Sequence, residues 1–472
     1  MSPAPIRILI LGGGFGGVYT ARHLERLLID CRDIEITLVS RDNYFLMTPL
    51  LFEAGSGILE PRHAVTPLRA LFKRVRFIEA EVRHVDLNAR LVHATTSSDQ
   101  QRTLPYDHLV LALGGVTKRS MIPGSDSALT FKTLADAIFL RNRTIDLFEL
   151  ADQEDDPARR AELLSFIVVG AGLVGVELLG ELTSFTLDLC RTYTRLRPQE
   201  LSFELIEAGP RVMPEMDRDL AEHAAVVLRR RGVRIRTNCP VRTIEPQAVV
   251  LDDGQRIAAR TIVLAAGVAA NPLVSSLNLA IDGRGRVAVD ATMRSISRRD
   301  VWALGDCAAI PDPQGRPYPP LAQHALREAR VLAENIVAAL RGRPGRPFVY
   351  STLGVLAALG HYQGVGRIMW LKLRGFAAWW VWRTYYLMQM PRWDRRLRIM
   401  LDWTVALFFR HDIVKLDLFG EVHPVIAAAT KPRSDGATEG REGMGASIPQ
   451  WRNPRVKPEC RNPNDETRNP KQ

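Results

Sequence analysis

Ile6-Arg7-Ile8-Leu9-Ile10-Leu11-Gly12-Gly13-Gly14-Phe15-Gly16-Gly17 is the stretch that decides the fold. Apart from Arg7, its first six residues are branched and apolar, a run short enough for a buried parallel strand. Gly12, Gly14 and Gly17 then stand at G-x-G-x-x-G spacing, with Phe15 between them. The first glycine permits a tight turn, the second lets the backbone approach a pyrophosphate, and the third lets helix and strand pack closely. A helix-like run over residues 18–29 follows, whose N-terminus offers free N–H groups and a partial positive charge to phosphates. Residues 35–39 read as the next strand. The glycines alone make a turn; a strand before them and a helix after them make a dinucleotide-binding unit. The acid expected at the end of the second strand is replaced by Ser40, followed by Arg41. Ser40 hydrogen-bonds a ribose hydroxyl more weakly than a carboxylate does, and Arg41 is suited to a phosphate.

The pattern returns about 160 residues later. Phe166-Ile167-Val168-Val169 is a strand, Gly170, Gly172 and Gly175 repeat the glycine spacing, residues 176–190 are helical, and Phe203-Glu204-Leu205-Ile206 is the following strand. This one ends in an acid, Glu207. A carboxylate there accepts from both ribose hydroxyls and repels a 2′-phosphate, so NADH is expected over NADPH; Arg211 nearby would soften that preference. The long spacing from Gly170 to Glu207 implies an extended crossover through residues 192–200. Two further strands end in small residues, at Gly114 and at Gly267, where two-dinucleotide flavoproteins return the chain beside the cofactor. Val301-Trp302-Ala303-Leu304-Gly305-Asp306 ends in a carboxylate suited to the hydroxyls of a ribityl chain. The fold class read from this is α/β, with two Rossmann-type domains, one for FAD and one for NAD. Both cofactors in one chain imply hydride transfer from nicotinamide to flavin, with the protein supplying placement and field.

The acceptor is read from the rest of the chain. Five scattered cysteines form no C-x-x-C pair and no metal-ligand pattern, and Cys31 alone precedes Cys190, which argues against a disulfide reductase. Cys307 reads as a packed small residue. The formal net charge of +11 over 472 residues calls for an anionic partner, and no nucleic-acid motif is present. Six of the eight tryptophans lie between Trp370 and Trp403, among many arginines and lysines, the composition of a membrane interface. Residues 376–390 are nearly all apolar but too short to span a bilayer, and Pro391 ends the run. A second helix over residues 395–409 sets Leu397, Leu401, Thr404 and Phe408 on one face, with Arg395, Arg398 and Asp402 helping to form the other. This pair reads as an amphipathic hairpin lying on an anionic membrane surface. A buried dimer interface or core helix is the plainer alternative.

With these residues in view, residues 6–420 resemble the type II NADH dehydrogenases, single-subunit NADH:quinone oxidoreductases. The likeness rests on the two glycine loops, on Tyr44-Phe45-Leu46-Met47-Thr48-Pro49-Leu50-Leu51, on Ala303-Leu304-Gly305-Asp306, on Leu321-Ala322-Gln323-His324-Ala325 and on the C-terminal helices. It implies that Pro49, Leu50, Ala322 and Gln323 lie beside the flavin, and that Gln323 also borders the quinone. The family repeats a glutamine in that last motif; here Arg327 takes the place of the second one. Glu177 matches a family residue near nicotinamide and flavin with a role in proton relay; its plainer reading is a first-turn carboxylate complementing the helix dipole. His361, with Tyr362, is expected to border the quinone site. A homodimer is expected from the likeness alone.

The expected organisation is an FAD domain over 1–120 and 290–365, an NAD(H) domain over 121–289, membrane-associating helices over 366–420 and a disordered tail over 421–472. The expected activity passes hydride from NADH to FAD and two electrons to a membrane quinone, without proton pumping, at the cytoplasmic face of the membrane. Two rivals stand beside it: a quinone- or dye-linked flavoprotein reductase with another donor, and a low-turnover membrane-bound FAD/NADH sensor.

Overall fold

The computed structural model of the protein describes residues 4–416, so the tail expected over 421–472 lies outside the described residues. Along the chain, β1 (Ile6–Leu11), α1 (Phe15–Leu27) and β2 (Ile34–Ser40) come first, then α2 (Leu51–Ser56), β3 (Arg76–Glu79) and β4 (His108–Leu111). α3 (Leu134–Gln153) opens with a capping box in which Thr133 and Asp136 each bond the other's backbone. β5 (Ser165–Val169), α4 (Leu173–Cys190), β6 (Ser202–Ile206), α5 (Arg218–Arg230), β7 (Val233–Arg236) and β8 (Thr261–Leu264) follow. The chain then runs through β9 (Val301–Ala303), α6 (Ala322–Leu340), β10 (Gly354–Ala358), β11 (Gly364–Ile368), β12 (Leu371–Arg374), α7 (Gly375–Gln389) and α8 (Trp393–Phe408).

The first parallel sheet has the order β9-β4-β1-β2-β3, and the second has the order β7-β6-β5-β8. The chain therefore leaves the first sheet after β4, builds the whole second sheet, and returns to the first at β9, where Val301 pairs with Leu109. Parallel strands covered on both faces must be apolar throughout, and Ile8 to Leu11 and Phe166 to Val169 are all buried. α1 packs against α6 beside the first sheet.

Two boundaries differ from those read in the sequence. α1 begins at Phe15, inside the glycine loop, because Gly14 acts as its N-cap and the glycines themselves form the first turn. α8 begins at Trp393. α7 ends before Pro391, which lacks the N–H that a continuing helix needs. α7 packs on β10 and β11 and turns Phe376, Trp380 and Met388 outward. In α8, Leu397, Leu401, Val405 and Phe408 are exposed, while Ile399 and Trp403 are buried. Part of the polar side of α8 faces the protein body, where Asp402 accepts from Glu60 N at 3.2 Å and pairs with His63 Nδ1 at 2.5 Å, while Arg398 is exposed. No described helix is long and apolar enough to cross a membrane.

Candidate cofactor and substrate site

The first glycine loop is built as a cradle. A Cβ on Gly12 would meet the Ala112 carbonyl oxygen at 2.1 Å, and one on Gly17 would meet the Gly12 carbonyl oxygen at 1.9 Å, so neither position tolerates a side chain. At Gly14 a Cβ would meet nothing within 4 Å, which leaves open space directly at the start of α1. That helix has no side-chain cap and no acid in its first turn, so its N–H groups stay available for an anion. Phe15 packs edge-on against Phe45 at 5.0 Å, joining the loop to the segment that carries Pro49 and Leu50. Ser40 lies against Gly13, and Arg41 is exposed in a loose pair with Asp42 at 3.7 Å.

The second loop repeats this construction. Gly175 lies against the Gly170 carbonyl, Gly172 caps α4, and α4 also starts without a side-chain cap or first-turn acid. Glu207 accepts from Ala171 N and Gly209 N, both at 2.7 Å, one on each oxygen. A carboxylate has about four lone-pair sites, so each oxygen retains capacity for a further donor. The Arg211 guanidinium donates to the carbonyls of Met213, Pro214 and Met216. Gly267 is left-handed with open space about it.

Both sheets send residues to a shared junction. Gly114 is left-handed and open, and a Cβ on neighbouring Gly115 would lie 3.5 Å from the Cβ of Asp306. Lys132, which the sequence did not single out, places its Nζ 3.8 Å from Asp306 Oδ2. Its only signal was its position just ahead of the capping box of α3. Burial lowers the pKa of Lys132, and Asp306 opposes this. The Gly305 N–H donates to Glu328 at 2.8 Å, tying the Asp306 turn to α6, and burial pushes the Glu328 carboxyl up to about 8. Cys307 is fully buried and its thiol is pushed up to about 12, a packed residue as read.

α6 likewise starts without a side-chain cap or first-turn acid, at Ala322. Gln323 Nε2 donates to the Gly354 carbonyl at 3.1 Å, and its Oε1 accepts from the Tyr350 hydroxyl at 3.3 Å. Arg327 donates to the Gln323 carbonyl at 2.8 Å and stacks 4.6 Å over the Tyr350 ring. Gln323 and Arg327 thus form one cluster. His361 belongs to another: its N–H meets Ser184, its carbonyl accepts from Arg231, and its ring contacts Tyr362.

Glu177 lies in the second turn of α4, beyond the reach of a first-turn dipole role. Its Oε1 accepts from Ala358 N at 2.9 Å and from Trp382 Nε1 at 3.1 Å, and burial pushes its pKa up to about 8. Below it, Glu53 on α2 is fully buried and accepts from Arg383 Nε at 2.8 Å and Trp403 Nε1 at 2.6 Å. The Arg383 guanidinium lies between the rings of Trp379 and Trp403, at 4.1 and 4.7 Å. This cluster joins α7 and α8 to the body. Among the described residues no group of His, Cys, Asp and Glu is arranged to hold a metal.

Comparison with known proteins agrees with this architecture. Residues 6–329 match the pyridine nucleotide-disulphide oxidoreductase family, and residues 353–412 match the NDH2 C-terminal domain. A probable NADH dehydrogenase of Dictyostelium discoideum is 31% identical over 416 residues, covering 86% of this chain and 90% of that protein. The type II NADH:quinone oxidoreductase Ndh of Mycobacterium tuberculosis is 30% identical over 420 residues, covering 86% and 88%. The solved structure of NDH2 from Plasmodium falciparum in complex with NADH superposes with a TM-score of 0.80 at 20% identity, covering 87% of this chain and 100% of that one. The two glycine cradles, the strand that returns to the first sheet and the C-terminal domain match together, and the chain belongs to the type II NADH:quinone oxidoreductases, within the pyridine nucleotide-disulphide oxidoreductases.

Proposed function

We propose that the protein takes hydride from NADH onto bound FAD and delivers two electrons to a membrane quinone. The observation that carries this is the pair of uncapped, acid-free helix starts, at Phe15 and Leu173, each behind a glycine cradle on its own parallel sheet. FAD, when bound, supplies the two-electron chemistry; the chain binds, orients and supplies protons. We assign the first loop, Ser40, Arg41, Pro49, Leu50, Gly114, Asp306 and Ala322 to FAD, within a domain of residues 1–120 and 290–365. The return of β9 to the first sheet supports that division. Gly170, Gly172, Gly175, Glu207 and Gly267 are assigned to NADH, within residues 121–289. Gln323 and Arg327 are placed at the quinone. Gly354 has only a carbonyl to offer Gln323 Nε2, which fixes the amide orientation and leaves one Nε2 hydrogen for a substrate oxygen. Glu177 holds its proton up to about pH 8 and is placed as the acid for quinone reduction. The exposed apolar face of α7 and α8, in a chain of net charge +11, is placed on an anionic membrane surface at its cytoplasmic side.

Anaerobic stopped-flow absorbance tests the reading. NADH should bleach the flavin band and a soluble quinone should restore it. The restoring step should slow as pH rises through about 8, because the acid form of Glu177 is lost there. Bleaching without restoration points to another acceptor, and no bleaching leaves the sensor reading.

Glu207→Ala removes the carboxylate that repels a 2′-phosphate and the acceptor for Ala171 N. The ratio of kcat/KM for NADH over NADPH is expected to fall by roughly tenfold or more, since a lost charge-assisted bond contributes about 1.5–3 kcal/mol. An unchanged ratio would remove Glu207 from the ribose site.

A further inference from the structure

The two dinucleotide units meet at a junction of their own. The strands Gly115–Thr117 and Val268–Ala270 pair antiparallel, with Gly115 opposite Ala270 and Thr117 opposite Val268, where the chain passes between the two parallel sheets. Lys132 reaches this junction from the second sheet. Leu129 lies parallel to Val263 of β8, bonded to Ile262 and Leu264. The chain therefore runs on past the carboxyl end of that strand, the end at which open parallel sheets bind ligands. The Lys132 N–H donates to Asp136 Oδ2 at 2.8 Å, which ties its backbone to the cap of α3. Its neighbour Phe131 stacks on Phe52 of α2 at 5.3 Å, in the segment that follows Pro49 and Leu50. The backbone at Lys132 is thus held by both units.

The Lys132 ammonium is attracted to Asp306 without being hydrogen-bonded to it. Its Nζ stands 3.8 Å from Asp306 Oδ2, whereas a charge-assisted hydrogen bond is about 2.7–2.9 Å long. Among the described residues no acceptor takes any of its three donors. The side chain is 35% exposed, and burial lowers its pKa while Asp306 raises it. A cation drawn out of water with its donors unused is costly to hold. The space beside it is open: a Cβ on Gly114 or on Gly267 would meet no atom within 4 Å. The turn of Asp306 also lies against the uncapped start of α6, where a Cβ on Gly305 would stand 3.7 Å from that of Ala325, and the free N–H groups there add partial positive charge. Glu328, the other acid at this turn, is pushed up to about 8 by burial and carries its proton at neutral pH.

We propose that Lys132 is a flavin-contacting residue contributed by the NADH unit: its ammonium donates to bound FAD beside Asp306 and stabilises the reduced cofactor more than the oxidised one. This rests on the placement of Asp306 at the ribityl chain. Hydride carries two electrons and one proton, so reduction adds one net negative charge to the cofactor. A fixed positive charge beside it favours that state, and here the charge is carried on the unit that delivers the hydride. An ion pair that only fastened the two units together would attract Asp306 equally in both states.

The test is the two-electron midpoint potential of the flavin-loaded protein, read by equilibration with a dye of known potential, with neither NADH nor quinone present. Lys132→Met should lower the affinity for reduced relative to oxidised flavin about tenfold, a fall of about 30 mV for a two-electron couple. Lys132→Arg keeps the charge and should stay within about twofold of the unsubstituted protein. An unchanged potential in Lys132→Met overturns the proposal. Lys132→Gln, also neutral, takes the place of a Lys132→Met that does not fold. If the neutral variant releases its flavin, the flavin-free protein is titrated with oxidised and with dithionite-reduced FAD. Weakening about tenfold greater for the reduced form supports the proposal. Equal weakening of both forms, the result for a lysine that only fastens the units or meets the pyrophosphate, overturns it. Asp306→Asn checks the placement separately: it should weaken binding of oxidised FAD at least tenfold. If it does not, Asp306 leaves the ribityl site, while a lowered potential in Lys132→Met still places the lysine at the flavin.

Discussion

Arg383→Met is expected to destabilise the protein by about 3–5 kcal/mol, the cost of leaving one member of a buried ion pair without its partner. Glu53 is fully buried and takes its charge-assisted bond from Arg383 Nε at 2.8 Å. Methionine nearly matches the volume of the lost side chain, so the loss reports charge and hydrogen bonding more than packing. The two indole rings that sandwich the guanidinium lose their cation as well. Because Arg383 is on α7 and Trp403 on α8, both helices should loosen together. The measurement is the thermal midpoint, followed by tryptophan fluorescence, which six tryptophans from Trp370 to Trp403 make sensitive to this region. Adding Glu53→Gln to Arg383→Met should recover more than half of the loss, since glutamine is neutral and still accepts from Trp403 Nε1. A single substitution that leaves the midpoint unchanged, or a double one that recovers nothing, would show that the pair does not dock these helices.

The second large effect separates two glycines three residues apart. Gly17→Ala would place a Cβ 1.9 Å from the Gly12 carbonyl oxygen, so the strand-to-helix turn has to open. Flavin occupancy should fall by at least tenfold, equivalent to about 1.4 kcal/mol of binding, and the flavin-free protein should also melt earlier. Gly14→Ala meets no atom within 4 Å, and its backbone, at φ −84°, is one that alanine adopts readily. It should leave the flavin-free protein as stable as before and still reduce flavin occupancy, because the new methyl group stands where a pyrophosphate approaches the start of α1. The flavin-to-protein absorbance ratio and the melting of flavin-free protein read both. Full flavin occupancy in Gly14→Ala would mean that the cofactor does not pass over this loop.

The parts of this protein that were legible in the sequence are those held by neighbours along the chain. Each glycine cradle is closed by contacts among a strand, a turn and the helix that follows, so the spacing of Gly12, Gly14 and Gly17 or of Gly170, Gly172 and Gly175 carries the geometry with it. Glu207 was legible for the same reason, at the end of the strand after the loop. The faces of α8 followed from periodicity, and Leu397, Leu401 and Phe408 are indeed exposed on one side. Proximity in sequence says nothing of where the long side chain of Arg211 finds its acceptors; three carbonyls of its own turn hold it. The different hydrogen-bond partners of Gln323 and His361 are set by long-range packing that the sequence does not show.

Local sterics and helix periodicity, which act over a few residues, set the two dinucleotide units, the carboxylate at the end of β6 and the amphipathic end of the chain. Only the tertiary structure decided which charges meet in the interior. Glu53 and Arg383 are 330 residues apart, and Lys132, ahead of α3, stands 3.8 Å from Asp306, just after β9. Glu177 acquires chemical meaning when β10 and α7 close over it, because a carboxyl group removed from water must hold its proton or find a partner.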